Sequence, residues 1–244
     1  MRVAPALAAV ALALAPTTAR ADATTIRFPF EDARYLERAQ HDGASVHVPD
    51  AARRADGPLP LVVFLHGVNP SGRVHLWMGG LFDLRPLVDG LARAHPFLFA
   101  APSQTRDATD PKTLWQDFDV DAFVAQTETA LAGASAIDRD HVYVIGHSGA
   151  GCNTDGGLAR AAGAHVTGVV AIDTCLDEEI GGAFARLPEL WVMWQSKTWW
   201  RDIEAFKRGL GGAPARIDRL TLEGPAPHDE IVIEGLRRFA HEWL

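Results

Sequence analysis

The sequence is short of positive charge. Its 244 residues include 23 lysines and arginines against 31 aspartates and glutamates, which gives a formal net charge of −8 at pH 7. Proteins that bind nucleic acid through the phosphate backbone need clustered lysines and arginines, and no such cluster stands out along this chain. The composition therefore argues against a nucleic-acid partner and says little about a neutral small substrate.

Long apolar runs and metal-binding motifs are also missing. Beyond residue 21 no stretch is long and apolar enough to cross a membrane. No His-Glu-x-x-His motif occurs, and the only two cysteines, Cys152 and Cys175, lack the spacing of a zinc site. We therefore expect no membrane span in the mature protein, no metal and no cofactor. With 48% hydrophobic and 22% charged residues, the rest of the chain, residues 22–244, is typical of one globular domain.

Residues 1–21 differ from the rest of the chain. Arg2 precedes an almost wholly apolar run over residues 3–15, and Ala19-Arg20-Ala21 places small residues at positions −3 and −1 of a cleavage site. This layout predicts a secretory signal peptide, with an uncleaved N-terminal anchor as the alternative. Cleavage would remove two arginines and leave a net charge of −10. The prediction implies a secreted or periplasmic protein, in a compartment where a disulfide can persist.

Short apolar runs alternate with longer amphipathic ones from residue 24 onward. Residues 61–65 and 142–145 are continuously apolar, which is typical of strands buried on both faces of a parallel sheet. The alternation predicts an α/β fold with a mostly parallel eight-stranded sheet, helices on both faces and an antiparallel edge made by the first two strands. We expect strands at 24–30, 44–48, 60–66, 96–101, 141–146, 166–172, 189–194 and 216–222. We expect helices near 81–94, 118–132, 150–162, 199–210 and 229–243.

The most informative segment is Gly146-His147-Ser148-Gly149-Ala150-Gly151, which follows a predicted strand. Glycine on both sides of Ser148 permits a sharp turn from strand into helix that exposes the hydroxyl at the end of the strand. The pattern departs from Gly-x-Ser-x-Gly at its last position, where Ala150 stands and Gly151 follows. The alternative is a serine in an ordinary tight turn, but the order of strand, turn and helix favours a nucleophile.

This segment resembles the nucleophile elbow of α/β-hydrolases. The run that leads into it, residues 136–143, is similar to secreted esterases of the polyhydroxybutyrate depolymerase and feruloyl esterase kind. Residues 60–67 are similar to the third strand and oxyanion loop of the same family. The resemblance implies an α/β-hydrolase fold and a serine hydrolase that cleaves small-molecule carboxylic esters through a Ser-His-Asp triad and an acyl-enzyme.

The same resemblance assigns the oxyanion hole. The family takes one donor from the main chain of the residue after the nucleophile, here Gly149. It takes the other from the loop after the third strand, here Val68. The Asn69 side chain is a further candidate donor. His66 is expected to be buried and to hold this loop by hydrogen bonds.

Ten histidines compete for the role of base. In the family the histidine lies on a loop between the last strand and the final helix, and only His228 has that position. A surface histidine at a helix N-terminus is the alternative. His147 is expected to point away from the serine and to pack at the strand end, and His241 lies inside the predicted final helix.

The acid of the triad is the least defined member. No carboxylate occupies the usual place after the seventh strand, which falls near Thr198. Asp173 ends the apolar sixth strand, where some lipases of the superfamily have their acid, and a charge there is costly to bury without a partner. We therefore predict Asp173, followed in order by Asp202 and Asp177. Asp202 could instead cap a helix, and Asp173 could be an ordinary turn residue.

The two cysteines lie close to these segments. Cys152 is four residues after Ser148, and Cys175 is two residues after Asp173. Because neighbouring parallel strands would bring the two segments together, we predict a Cys152–Cys175 disulfide that braces them. Two buried free thiols are the alternative.

Substrate class is only weakly indicated. Residues 176–188 are too few for a large cap domain after the sixth strand, so we expect an open site, partly roofed by residues 69–80 and 102–117. Three tryptophans near the end of the seventh strand could form an aromatic platform for substrate or pack in the core: Trp194, Trp199 and Trp200. Two other functions stay open, a serine peptidase or amidase with the same triad and a catalytically silent binding protein on the hydrolase scaffold.

Overall fold

The computed structural model describes residues 24–30, 43–68, 83–102, 110–195 and 202–244. They form one eight-stranded sheet in the order β1-β2-β4-β3-β5-β6-β7-β8. The strands are β1 (Thr24–Phe28), β2 (Ala44–Val48), β3 (Leu59–Leu65), β4 (Leu98–Pro102), β5 (Ile137–His147), β6 (Gly168–Ile172), β7 (Leu190–Gln195) and β8 (Ala215–Leu220). The predicted signal peptide lies outside the described residues.

The sheet is parallel except at one edge. β1 pairs antiparallel with β2, and β2 pairs antiparallel with β4. Every other pairing, from β4 through β3, β5, β6 and β7 to β8, is parallel. The predicted mostly parallel sheet with an antiparallel edge is therefore confirmed.

Helices cover both faces of the sheet. They are α1 (Asp50–Arg53), α2 (Arg85–Leu91), α3 (Val120–Ala130), α4 (Glu178–Phe184), α5 (Ile203–Leu210) and α6 (Pro227–Trp243). One buried cluster joins alternate residues of β3, such as Leu61 and Val63, to α3, α4 and α5. The residues between them, Val62 and Phe64, belong to a second cluster with α2 and α6. Because successive side chains of a strand point to opposite faces, the continuous apolar run of β3 supplies both cores.

The predicted helix at 150–162 is wrong. Two short 3-10 segments stand there instead, Ser148–Gly151 and Gly157–Gly163, with an irregular stretch between them. Gly157 adopts a left-handed φ of 51°, and a Cβ on it would lie 2.1 Å from the carbonyl oxygen of Ala150. This turn brings the chain back on itself, which a continuous α-helix cannot do.

The connection between β6 and β7 contains only the seven-residue helix α4. Sequence patterning did not predict this helix, but the expectation that no large cap domain is inserted here is confirmed. Among the described residues, none of the helices has the length and apolar character that crossing a membrane requires.

Candidate active site

Two adjacent strands end side by side at the carboxyl edge of the sheet. β5 and β6 pair in register as far as His147 and Ile172, and the next residues are Ser148 and Asp173. Both have a left-handed backbone, with φ of 53° and 46°, which is uncommon for residues other than glycine. The candidate nucleophile and the candidate acid therefore leave the sheet at neighbouring positions through the same kind of backbone turn.

His228 lies between these two side chains. Its Nε2 atom is 3.0 Å from Ser148 Oγ, and its Nδ1 atom is 2.5 Å from Asp173 Oδ2. A carboxylate accepts, so Nδ1–H donates to Asp173 and Nε2 is left to accept from the serine hydroxyl. A hydroxyl, an imidazole and a carboxylate joined in this order can pass the hydroxyl proton to the imidazole.

The Asp173 carboxylate is fully buried, with 0% of the residue exposed. Its second oxygen, Oδ1, accepts a hydrogen bond of 3.0 Å from the main-chain N–H of Gln195 at the end of β7. Burying a charge is costly unless it is paired and hydrogen-bonded. The protein meets that requirement by giving each oxygen of Asp173 a donor, one of them from His228.

The two other candidate acids have different partners. Asp202 accepts a hydrogen bond of 2.8 Å from the Ala205 N–H and caps the start of α5. Asp177 accepts one of 2.9 Å from the Ile180 N–H and caps α4. The structure brings neither to His228, so both act as helix N-caps.

The two predicted oxyanion donors lie against each other. A Cβ placed on Gly149 would be 3.3 Å from the Val68 nitrogen and 2.9 Å from Val68 Cγ2. A Cβ placed on Gly67 would be 2.6 Å from Ser148 Cβ. The loop after β3 therefore passes directly over the serine, close enough for its main chain to reach a group bound there. Asn69 lies outside the described residues.

The loop after β3 is hydrogen-bonded to a buried tryptophan, Trp115, which was not predicted from the sequence. His66 is fully buried, and its Nδ1 donates to the Gly67 carbonyl at 2.7 Å. Trp115 Nε1 donates to the His66 carbonyl at 2.9 Å, and the two rings meet edge to face. The available signal was the apolar pair Leu114-Trp115 inside an otherwise polar loop.

His147 is a second residue whose contacts sequence reasoning did not foresee. As expected, it is buried at the end of β5. It nevertheless contacts His228: its Nε2 donates to the His228 carbonyl at 2.8 Å, and the two ring centroids are 4.6 Å apart. Burial first, and then the nearby charge of His228, lower the pKa of His147 to about 3. This histidine is therefore neutral at ordinary pH.

The cysteines and tryptophans near the site have separate roles. The predicted Cys152–Cys175 disulfide is present, with a Cα–Cα distance of 4.9 Å, and it links the segments that follow Ser148 and Asp173.

Trp191 is a core residue whose Nε1 donates to Asp218. Trp194 is partly buried against the first core cluster, and the Arg219 guanidinium lies over its ring, 5.3 Å from the ring centroid. Trp199 and Trp200 lie outside the described residues. No cluster of metal-ligating side chains occurs within the described ranges.

Comparison with known proteins adds structural relatives only. No protein-family model matches the sequence, and no curated protein sequence matches it. Among solved structures, the chain is similar to an S-formylglutathione hydrolase from Staphylococcus aureus, with a TM-score of 0.59 at 14% identity over 90% of this chain and 98% of that one. It is also similar to a poly(3-hydroxybutyrate) depolymerase from Bordetella parapertussis, with a TM-score of 0.58 at 15% identity over 90% of each chain.

A fluorophosphonate-binding serine hydrolase from Staphylococcus aureus is a third similar structure. Its TM-score is 0.57 at 12% identity, and the match covers 90% of this chain and 99% of that one. At such identities the likeness concerns the fold. Together with the strand order and the helices on both faces of the sheet, it shows that this chain has the α/β-hydrolase fold.

Proposed function

We propose that the chain is a serine hydrolase that cleaves carboxylic esters. The observation that carries the proposal is the hydrogen-bonded series from Ser148 through His228 to Asp173, placed at the carboxyl edge of the sheet. In proteins with an open α/β sheet, ligands bind beyond the carboxyl ends of the strands, at this edge. The structural relatives, among them hydrolases and esterases, are consistent with this choice of chemistry.

The proposed reaction is acyl transfer to water. His228 removes the proton from Ser148 as the hydroxyl attacks the ester carbonyl, and Asp173 stabilises the imidazolium that results. The main-chain N–H groups of Gly149 and Val68 stabilise the oxyanion of the tetrahedral intermediate. His228 then returns the proton to the leaving alcohol, and a water molecule activated by the same imidazole releases the acyl group.

Labelling with a fluorophosphonate probe tests the nucleophile. We expect the wild-type protein to be labelled on Ser148 and the Ser148→Ala variant to be unlabelled. Ser135→Ala is the matched control, because Ser135 precedes the start of β5, whereas Ser148 follows its end. An unlabelled wild-type protein would contradict the proposal and favour a catalytically silent binding protein.

A substrate panel separates ester from amide hydrolysis. We expect turnover of short-chain nitrophenyl esters that disappears in Ser148→Ala, and little turnover of peptide anilides. Faster cleavage of the anilides would instead assign the protein as a peptidase or amidase with the same triad.

We further propose that the protein is exported. The proposal rests on the signal-peptide pattern of residues 1–21, and the Cys152–Cys175 disulfide supports it because disulfides persist in oxidising compartments. Intact-mass analysis after expression with the leader tests it, with a mature N-terminus at Asp22 as the expected result. A retained leader would contradict cleavage.

A further inference from the structure

The main chain of His228 is hydrogen-bonded to a side chain from the strand that ends at the nucleophile. His147 Nε2 lies 2.8 Å from the His228 carbonyl oxygen, and the two rings are tilted by 39° at a centroid distance of 4.6 Å. A carbonyl can only accept, so the Nε2 atom of His147 must carry the proton. The contact is therefore a directed hydrogen bond, and the residue beside Ser148 in sequence reaches the main chain of its base.

His228 lies in the first turn of α6, ahead of the buried part of that helix. None of the residues from 221 to 230 is buried, and the first buried side chain of α6 is Ile231. Asp173 orients the His228 imidazole through Nδ1, but it does not fix the main chain from which the ring projects. The first turn of α6 and the hydrogen bond from His147 both restrain that main chain, and only the second of them comes from the sheet.

The two restraints come from one rigid part of the molecule. His147 is the register partner of Ile172 in the paired strands β5 and β6, and Asp173 follows Ile172 directly. One strand end thus holds the His228 main chain, while its neighbour holds the His228 ring. Ser148 follows His147 directly. The positions of Ser148, His228 and Asp173 are therefore all set by the ends of β5 and β6.

The surroundings of His147 keep it in a single protonation state. Its Nδ1 atom is buried and has no hydrogen-bond partner among the described residues, so a second proton there would have no acceptor. Among the described residues, the titratable groups that act on the pKa of His147 are His228, Asp173 and His66. A neutral ring can lie beside the His228 imidazolium that forms during the reaction without repelling it.

We propose that His147 is a positioning residue, whose hydrogen bond to the His228 carbonyl sets the placement of the His228 ring over Ser148. The inference rests on the proposed function, because it assigns His147 a role in that reaction. It is distinct from the transfer of protons, in which His147 takes no part.

Three substitutions at this position separate the hydrogen bond from packing. His147→Phe keeps a ring and loses the donor. His147→Gln places an amide nitrogen near the position of Nε2, whereas the shorter side chain of His147→Asn cannot reach the carbonyl. We expect kcat on a nitrophenyl ester to fall about 10- to 100-fold in the Phe and Asn variants with KM nearly unchanged, since displacements on the order of 1 Å have such effects. The Gln variant should recover most of the loss.

Tyr143→Phe is the matched control for stability. Tyr143 is also on β5, and its hydroxyl donates to the Trp243 carbonyl at the other end of α6 at 3.2 Å. Removing this bond should lower thermal stability without changing kcat. A spectroscopic readout is the proton NMR resonance of His228 Nδ1–H, which should shift or broaden in His147→Phe and His147→Asn and stay in place in His147→Gln and Tyr143→Phe.

Failure of this inference is distinguishable from failure of the proposed function. A wild-type protein that neither reacts with fluorophosphonate nor turns over esters would overturn the function, while the NMR resonance would still report the contact. An active wild type whose His147→Phe variant keeps its kcat and its resonance would overturn the positioning role. If His147→Phe does not fold, equal kcat values in the Gln and Asn variants would overturn it instead.

Discussion

At the scale of single residues, burial and hydrogen-bond partners distinguish three chemically identical carboxylates. Asp173 is fully buried and accepts from His228 and from the Gln195 N–H, whereas Asp177 and Asp202 accept from N–H groups in the first turns of α4 and α5. An N-cap needs any short acceptor, but stabilising an imidazolium needs a negative charge. Replacement of each aspartate by asparagine therefore has different consequences.

We predict that Asp173→Asn lowers kcat by about 10³- to 10⁴-fold, because the amide cannot stabilise the His228 imidazolium and favours the wrong tautomer. Asp202→Asn is the control, since asparagine caps helices as well as aspartate does, and it should keep both kcat and thermal stability. Steady-state kinetics on a nitrophenyl ester and a thermal melt measure the two quantities. An Asp173→Asn enzyme with unchanged turnover would rule out Asp173 as the acid.

The low pKa of His147 predicts a pH-dependent contribution to stability. Its pKa falls from 6.5 to about 3 on folding, so between these values the unfolded chain binds a proton that the folded protein does not. Stability therefore decreases as pH falls below 6.5, by about 1 kcal/mol per pH unit, and this contribution is constant above 6.5.

Urea unfolding at pH 7, 6 and 5 checks this dependence. The other titrating groups are shared by wild type and His147→Gln, so the difference between their unfolding free energies isolates His147. We expect that difference to move against the wild type as pH falls. A difference that stays constant from pH 7 to pH 5 would mean that His147 titrates normally.

At the scale of elements, glycines explain why sequence patterning did not predict α4. α4 contains Gly181 and Gly182, which lower helix propensity, and the pattern gave no helix there. In the structure a Cβ on Gly181 would be 2.2 Å from the Phe206 carbonyl oxygen, and one on Gly209 would be 2.1 Å from the Glu178 carbonyl oxygen. These glycines let α4 and α5 pack backbone to backbone, a tertiary gain that local propensity does not contain.

The loop after β3 gives a prediction at the same scale. A Cβ on Gly67 would lie 2.6 Å from Ser148 Cβ and 3.2 Å from Ser148 Oγ, so Gly67→Ala must displace the loop or the serine. We expect kcat/KM to fall by at least about 100-fold. Gly90→Ala, on an exposed face of α2 with no atom within 4 Å of the new Cβ, should keep full activity and gain up to about 1 kcal/mol of stability. Equal activities of the two variants would contradict the close approach.

At the scale of the whole molecule, the disulfide joins the two chain segments that diverge from the ends of β5 and β6. It spans a sequence separation of 23 residues, and loops of that size contribute about 3 kcal/mol when closed. We predict that the Cys152→Ser/Cys175→Ser variant loses about this much unfolding free energy.

The same variant should keep kcat within about tenfold of wild type, because Ser148 and Asp173 remain fixed by the paired strands. Urea denaturation and ester kinetics on the one preparation measure both quantities, with reduced wild type as the control. A loss of kcat as large as that of Asp173→Asn would show that the disulfide, rather than the sheet, holds the site.

How much of the fold and of the site could be predicted from the sequence depended on how far apart along the chain the contacting residues are. The alternation of short apolar runs with amphipathic stretches predicted the eight strands, and the local pattern around Ser148 predicted the turn. Asp173 became a candidate because it ends an apolar strand, at the place where some lipases of the superfamily have their acid. The contacts of His147 with His228 and of Trp115 with His66 join residues 81 and 49 positions apart, and no local pattern contains them.

The left-handed backbone at Ser148 and Asp173 also sets stability against function. Residues with a side chain cost on the order of 1 kcal/mol in this conformation, which glycine adopts freely. Glycine would therefore relieve the fold at the two places where it would abolish the proposed chemistry. Stabilising substitutions chosen from backbone geometry alone would therefore include these two positions early. The resulting protein would be more stable and catalytically inactive.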